Sequence, residues 1–148
     1  MTVTTGKATV FENVFKNFYD LLNSNGSFTS IIYPAFPEGF DIDDKGDYPL
    51  CILDSADLKE EQLSFGKSYV DGTIGFEIYT TSAATTDQYA SDAKDQIETS
   101  KTTLAGVGLH RVFLDSSSKD TVQRGKINVH FIRLNFRFRF FFAKTFAY

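Results

Sequence analysis

The sequence predicts an α+β fold, with two α-helices packed on an antiparallel or mixed β-sheet. Apolar residues recur with helical spacing in two stretches and alternate as in strands in several others. The resulting order, α-β-β-β-β-α-β-β, places strands in consecutive pairs, which is typical of this class. The length of 148 residues fits one domain. We therefore expect a single domain over residues 1–148, with a mobile N-terminal arm at residues 1–7.

The first predicted helix covers residues 8–23. Its apolar stripe is formed by Phe11, Val14 (or Phe15), Phe18 and Leu22, which lie three or four residues apart. The polar sequence NSNG at residues 23–26 ends it. Four strands are predicted next, at residues 28–33, 48–54, 58–65 and 69–81. The lone Cys51 lies in an apolar run, which predicts a buried thiol and no disulfide.

A second helix is predicted at residues 86–104, capped by Thr85 or Thr86. Its stripe is only weakly apolar, so we expect it to lie on the sheet without deep burial. A strand at residues 109–114, a polar hairpin tip at residues 115–120 and a returning strand at residues 121–142 complete the prediction. The weakly apolar stripe of the second helix consists of Tyr89, Ala93, Ile97 (or Gln96), Ser100 and Leu104.

The last strand contains the strongest pattern, KINVHFIRLNFRFRFFF at residues 126–142. Apolar and polar residues alternate along it, but the alternation changes phase at Phe131–Ile132. Because successive side chains of a strand point to opposite faces, the change predicts a β-bulge or a bend. An ordinary strand has about five or six residues, so we expect the part beyond the bend to meet a neighbouring molecule. The alternative is a single bent strand that contributes only to the core.

Charge is divided unevenly along the chain, which has a net charge of −4. Residues 38–61 contain nine acids and two bases, whereas residues 121–148 contain six bases and no acid. These segments can compensate each other within one subunit, or they can join one copy to the next. The sequence leaves both interpretations open.

No pattern predicts catalysis, a metal or a cofactor, so we expect a protein that is not an enzyme. The sequence DIDDKG at residues 41–46 has Lys45 where an EF-hand has a ligand. His110 and His130 become neighbours if their strands form the predicted hairpin, but a metal needs further ligands. Gly106 and Gly108 follow a helix, the wrong polarity for a dinucleotide site. No run is long and apolar enough to predict a membrane span or a signal peptide.

The candidate functional surface is a contact with other subunits. It combines the basic stripe of the last strand, its phenylalanines and the acidic loop. The alternative is nucleic-acid binding, in which arginines contact phosphates and aromatic rings stack on bases. The predicted interface residues are Arg133, Arg137, Arg139, Phe138, Phe140, Phe142, Asp41, Asp43 and Asp44.

This order of elements resembles the tail terminator (tail completion) proteins of long-tailed bacteriophages, over nearly the whole chain. The resemblance implies a homo-oligomeric ring, typically a hexamer, located in the tail or neck of the virion. Such a ring, made in the host cytoplasm, would stop growth of the tail tube and join it to the head connector. DNA would pass through it without sequence-specific binding, and no membrane would be involved. The long final strand leaves open a different neck or tail component.

Overall fold

The computed structural model describes residues 3–5, 10–29, 31–40, 45–54, 56–64, 67–124 and 126–144. These residues form three helices and seven strands, with a short 3-10 helix at Lys45–Asp47. In order the elements are β1 (Val3–Thr5), α1 (Val10–Asn23), β2 (Ile32–Tyr33), β3 (Leu50–Leu53), β4 (Asp57–Ser64), β5 (Lys67–Thr80), α2 (Ala83–Thr99), α3 (Lys101–Gly106), β6 (Leu109–Arg124) and β7 (Ile127–Lys144).

All seven strands belong to one mixed sheet centred on the antiparallel pair β5 and β7. The outer edge of β5 pairs with β3 and β4, and the outer edge of β7 pairs with β6 and β1. The short β2 runs parallel to β3. The predicted α+β class with a mixed sheet is confirmed.

The helices cover one face of the sheet, where the main core lies. Val14, Phe18 and Leu22 of α1 are buried, and the Phe18 ring lies 5.5 Å from that of Phe138 on β7. Phe11 does not join this stripe, because its side chain is 56% exposed. The core stripe of α1 is therefore narrower than predicted.

The second predicted helix is divided into α2 and α3 at Ser100. Ser82 caps α2 by accepting a hydrogen bond from the Thr85 backbone nitrogen, so the predicted cap at Thr85 or Thr86 is wrong. Thr86 is instead buried, with its hydroxyl 2.6 Å from that of Thr80. The expectation that this helix is not deeply buried is wrong, because Ala93 and Ile97 are fully buried and Thr86 and Ala90 are buried beside them.

The predicted hairpin tip at residues 115–120 is wrong, because this polar segment continues β6. Its backbone pairs with β7, from Ser116 opposite Asn135 to Asp120 opposite Phe131. An edge strand exposes its side chains to solvent, so a run of serines and charges is compatible with strand structure there. The chain reverses beyond Arg124, which pairs with Ile127.

The predicted bulge at Phe131–Ile132 is also wrong. β7 pairs with β5 in unbroken register from His130 to Ala143. The apolar residues move from odd to even positions because a different face of the strand is buried in each part. Ile132 and the even-numbered residues from Leu134 to Phe140 face the helices, whereas Val129 and Phe131 lie on the opposite face.

A second, smaller apolar cluster covers that opposite face at one end of the sheet. The Phe131 ring lies 4.9 Å from Tyr79, and the Phe36 ring lies 5.3 Å from Tyr79. Leu50 and Ile52 of β3 pair with odd-numbered residues of β5 and are buried as well. Phe36, between β2 and β3, therefore packs on the sheet face that the helices leave open.

The structure differs from two further predictions near the N-terminus. Val3–Thr5 pairs in parallel with the end of β7, so this part of the predicted mobile arm is a strand. The strand predicted at residues 28–33 is reduced to Ile32–Tyr33, because Phe28 and Thr29 lie in turns closed by Asn25. Cys51 is buried as predicted, and burial raises the pKa of its thiol.

Candidate subunit interface

The sheet face opposite the helices carries most of the charged residues of the long strands. Odd-numbered residues of β5 and β7 point to this face, and they stand opposite one another in register. Glu77 is paired with Arg133, and Asp71 with Arg139. An arginine of this stripe can therefore be bound within its own subunit instead of contacting another one.

Arg133 is paired inside the subunit. Its Nη1 atom donates to Asp54 at 2.5 Å and to Glu77 at 3.0 Å, and its Nε atom donates to Asn135 at 3.1 Å. The side chain is only 33% exposed. For Arg133, the interpretation of charge compensation within one subunit is supported.

Glu77 is the more buried of the two carboxylates that share this arginine. Its side chain is 16% exposed, and its Oε2 atom accepts a hydrogen bond from the Tyr79 hydroxyl at 2.8 Å. Burial raises the pKa of Glu77, and the nearby charge of Asp54 acts in the same direction. Burial and the bond to Glu77 likewise raise the pKa of Tyr79. The cluster is a fixed structural element of the sheet face.

Arg139 is also held in place, by a bidentate pair with Asp71. Its Nε and Nη2 atoms donate to the two carboxylate oxygens at 2.7 and 2.9 Å. The guanidinium also lies 4.1 Å from the centre of the Tyr69 ring. The hydrogen bond from Arg139 lowers the pKa of Asp71, and the charges of Arg111 and Arg137 add to the effect.

Arg137 and Arg111 have much weaker ties to their own subunit. Arg137 is 57% exposed and lies 3.6 Å from Asp115, which is longer than a hydrogen bond. Arg111 is exposed and makes no ion pair with any residue that the structure describes. Its φ of 54° and the register shift between His110 and Phe113 mark a bulge in β6.

The bulge opens a cleft of about 450 Å³ on the charged face, between β5, β7 and β6. Three guanidinium groups line it against one carboxylate, that of Asp71. Phe113, which is 44% exposed, adds an apolar wall. We call this the arginine cleft; its lining residues are Asp71, Gly72, Thr73, Arg111, Phe113, Arg137, Phe138 and Arg139.

Two of the other predicted interface residues lie on the opposite face of the sheet from the arginines. Phe138 and Phe140 are 1% and 0% exposed, so their assignment to an intersubunit contact is corrected: they form the core under the helices. The backbone of Phe142 pairs with Ser68 of β5 and with Val3 of β1. Asp41, Asp43 and Asp44 lie outside the described residues.

Arg111 and Phe113 were not predicted as functional residues. In the sequence they belong to LHRVFL, an alternating run that predicts an ordinary strand with Arg111 and Phe113 on one face. The bulge that leaves Arg111 and Phe113 around a cleft depends on the pairing with β7. No local signal reveals such a register shift, because Arg111 is not a residue type that favours positive φ.

The two histidines are not neighbours, because β6 is longer than predicted. His110 stands opposite Arg139, whereas His130 stands opposite Thr121, whose hydroxyl is 3.1 Å from its Nδ1 atom. Within the described ranges, no group of three or more His, Cys, Asp or Glu side chains is arranged to hold a metal ion. No helix of this part of the chain is long and apolar enough to cross a membrane.

No protein family model matches the sequence, and no curated protein matches it. Among solved structures, the chain is similar to a chain in the virion of a native gene transfer agent particle. The TM-score is 0.57 at 15% sequence identity, and the superposition covers 91% of this chain and 99% of that chain. The two chains therefore share a fold over nearly their whole lengths.

Proposed function

We propose that this protein is a structural component of a tailed virus particle and acts by assembling with copies of itself and with other virion proteins. The observation that carries the proposal is the fold shared with a virion chain, since almost all of both chains is superposed. Insertions of an enzymatic or binding domain would leave part of one chain unmatched. The likeness is thus to a whole assembly subunit and not to a common substructure.

More specifically, we propose a ring, of six subunits by analogy with the tail terminators, at the junction of tail and head. The ring ends the tail tube, offers a surface to the head connector and lets DNA pass without sequence-specific contacts. The uneven charge supports such an assembly, because acidic and basic segments of different copies attract each other. The open, charged sheet face supports it too, since the helices cover only the other face.

Electron microscopy tests this proposal at two levels. The purified protein, alone and mixed with tail tubes, is expected to form rings of uniform diameter, alone or at one end of each tube. Particles made without the protein are expected to carry tails of irregular length. Tails of normal length that lack an attached head would instead identify a different neck component. A protein that stays monomeric in light scattering and never binds tubes would overturn the proposal.

A further inference from the structure

We propose that the arginine cleft receives the acidic segment of a second copy, residues 38–47, as the contact that joins one subunit to the next. The inference rests on the proposed function, because it names the surface through which the subunits associate. Its basis is a basic cleft at one end of a sheet face whose other end holds the residues that flank the acidic segment.

The cleft has an excess of positive charge, because three arginines and one aspartate line it. Both carboxylate oxygens of Asp71 accept hydrogen bonds from Arg139, so Asp71 acts on Arg111 and Arg137 only through its charge. Arg137 forms a 3.6 Å ion pair with Asp115 and is 57% exposed, and Arg111 forms no ion pair with any described residue. A carboxylate that entered the cleft would meet two guanidinium groups beside the apolar wall of Phe113.

The acidic segment has the matching charge, with five acids and one base in ten residues. The chain at both ends of this segment is fixed at the far end of the sheet. Phe40 contacts Phe36 and Tyr48, with ring centroids 5.4 Å apart in each pair, and Phe36 contacts Tyr79. Its acids are Glu38, Asp41, Asp43, Asp44 and Asp47.

The described residues that flank this segment lie far from the cleft of their own subunit. Tyr79, at the anchored end, and Thr73, in the cleft, are six residues apart on β5, which is roughly 20 Å along a strand. A second copy can bring its acidic segment to the cleft without spanning this distance.

A second copy fits this geometry better than nucleic acid does. The chain is acidic overall, with a net charge of −4, so the field of the whole molecule does not attract DNA. Two different, complementary patches on one subunit make a head-to-tail contact, and repetition of such a contact closes into a ring when the rotation permits. The same contact would therefore build the proposed ring.

Charge reversal on both sides tests the contact. In Arg111→Glu/Arg137→Glu and in Asp41→Lys/Asp43→Lys/Asp44→Lys, the concentration needed for assembly should rise about tenfold or more, because like charges then meet. A mixture of the two variants should assemble again, since every interface then pairs opposite charges. Recovery in the mixture also shows that both variants are folded. Light scattering and electron microscopy at low salt give the readout.

Lys16→Glu/Lys94→Glu is the matched control, because it makes the same change of charge at exposed positions on α1 and α2. It should assemble like the parent. If both cleft and segment variants assembled normally while the parent formed rings, the cleft contact would be wrong and the proposed function would stand. A monomeric parent would overturn both. If duplex DNA bound the parent in low salt and not Arg111→Glu/Arg137→Glu, with assembly unchanged, the occupant would be nucleic acid.

Discussion

The guanidinium of Arg133 lies over Gly75, in the space that a β-carbon at position 75 would occupy. From there it donates hydrogen bonds to Asp54 and Glu77. Gly75 is buried although it has no side chain, because Arg133 covers it. The glycine in the middle of β5 is thus explained by the approach of a neighbouring side chain, since its φ is not in the left-handed region.

Gly75→Ala should displace Arg133 and separate it from both carboxylates. The guanidinium is the end of a flexible side chain, so it can move without disturbing the sheet. Loss of these partly buried, charge-assisted bonds should lower the free energy of unfolding by about 1–2 kcal/mol. Urea denaturation followed by circular dichroism measures the change.

Two other glycines serve as references for that measurement. A β-carbon at Gly26 would have nothing within 4 Å, so Gly26→Ala should leave the free energy of unfolding nearly unchanged. A β-carbon at Gly72 would meet the backbone carbonyl of Asp57 on β4, which cannot move alone. Gly72→Ala should therefore cost more than Gly75→Ala. If Gly75→Ala were as harmless as Gly26→Ala, the ion pairs of Arg133 would contribute nothing to stability.

Phe138 should behave as a core residue in spite of its place in the Arg/Phe repeat. Phe138→Ala leaves a cavity beside Phe18, and such a truncation typically costs about 3–5 kcal/mol. Phe11→Ala makes the same chemical change at a side chain that is 56% exposed, and it should cost well under 1 kcal/mol. Thermal denaturation of both variants measures the difference, and equal melting temperatures would contradict the buried position of Phe138.

The pairing of Asp71 with Arg139 makes stability depend on pH. Because the folded state lowers the pKa of Asp71, the ionised carboxylate favours folding. That contribution is present above about pH 4, where an unfolded aspartate is ionised, and is lost as pH falls through the lowered pKa. In Asp71→Asn the free energy of unfolding should be lower at pH 7 and fall less steeply below pH 4, which denaturant titrations at several pH values measure.

The fold class could be predicted from the sequence because it depends on periodicity. The alternation in β5 and β7 and the spacing of Val14, Phe18 and Leu22 are local patterns, and the structure uses them as expected. The predicted bulge failed for a different reason. The change of phase after Phe131 records that the loop containing Phe36 covers the other face of the sheet. A period of two identifies the buried face only where a single face is buried.

The candidate site was predicted only in part, because it depends on register. The sequence identified Arg133, Arg137 and Arg139 as one stripe, but their neighbours come from β5, more than fifty residues earlier. Only the register reveals that Asp71 pairs with Arg139 while Arg137 keeps much of its charge exposed. Charge compensation within the subunit therefore explains Arg133 and Arg139, whereas a contact with another subunit is the proposal for Arg137.

Arg111 combines backbone strain with a charge that forms no ion pair with any described residue. Its φ of 54° lies in the left-handed region, which costs an arginine about 1 kcal/mol or more and costs a glycine little. Arg111→Gly removes that strain but adds freedom to the unfolded chain, a smaller opposing effect of about 0.5–1 kcal/mol. Its free energy of unfolding should therefore equal or slightly exceed that of the parent.

Arg111→Ala separates the strain from the charge, because it removes the guanidinium and keeps a β-carbon at the strained position. It should gain no stability, and both variants should lose assembly to the same extent, since both lack the charge of the arginine cleft. Denaturant titration and light scattering on the parent, Arg111→Gly and Arg111→Ala measure the two properties independently. A loss of more than about 1 kcal/mol in Arg111→Gly would mean that the arginine stabilises its own subunit, which is incompatible with a side chain held free for a neighbour.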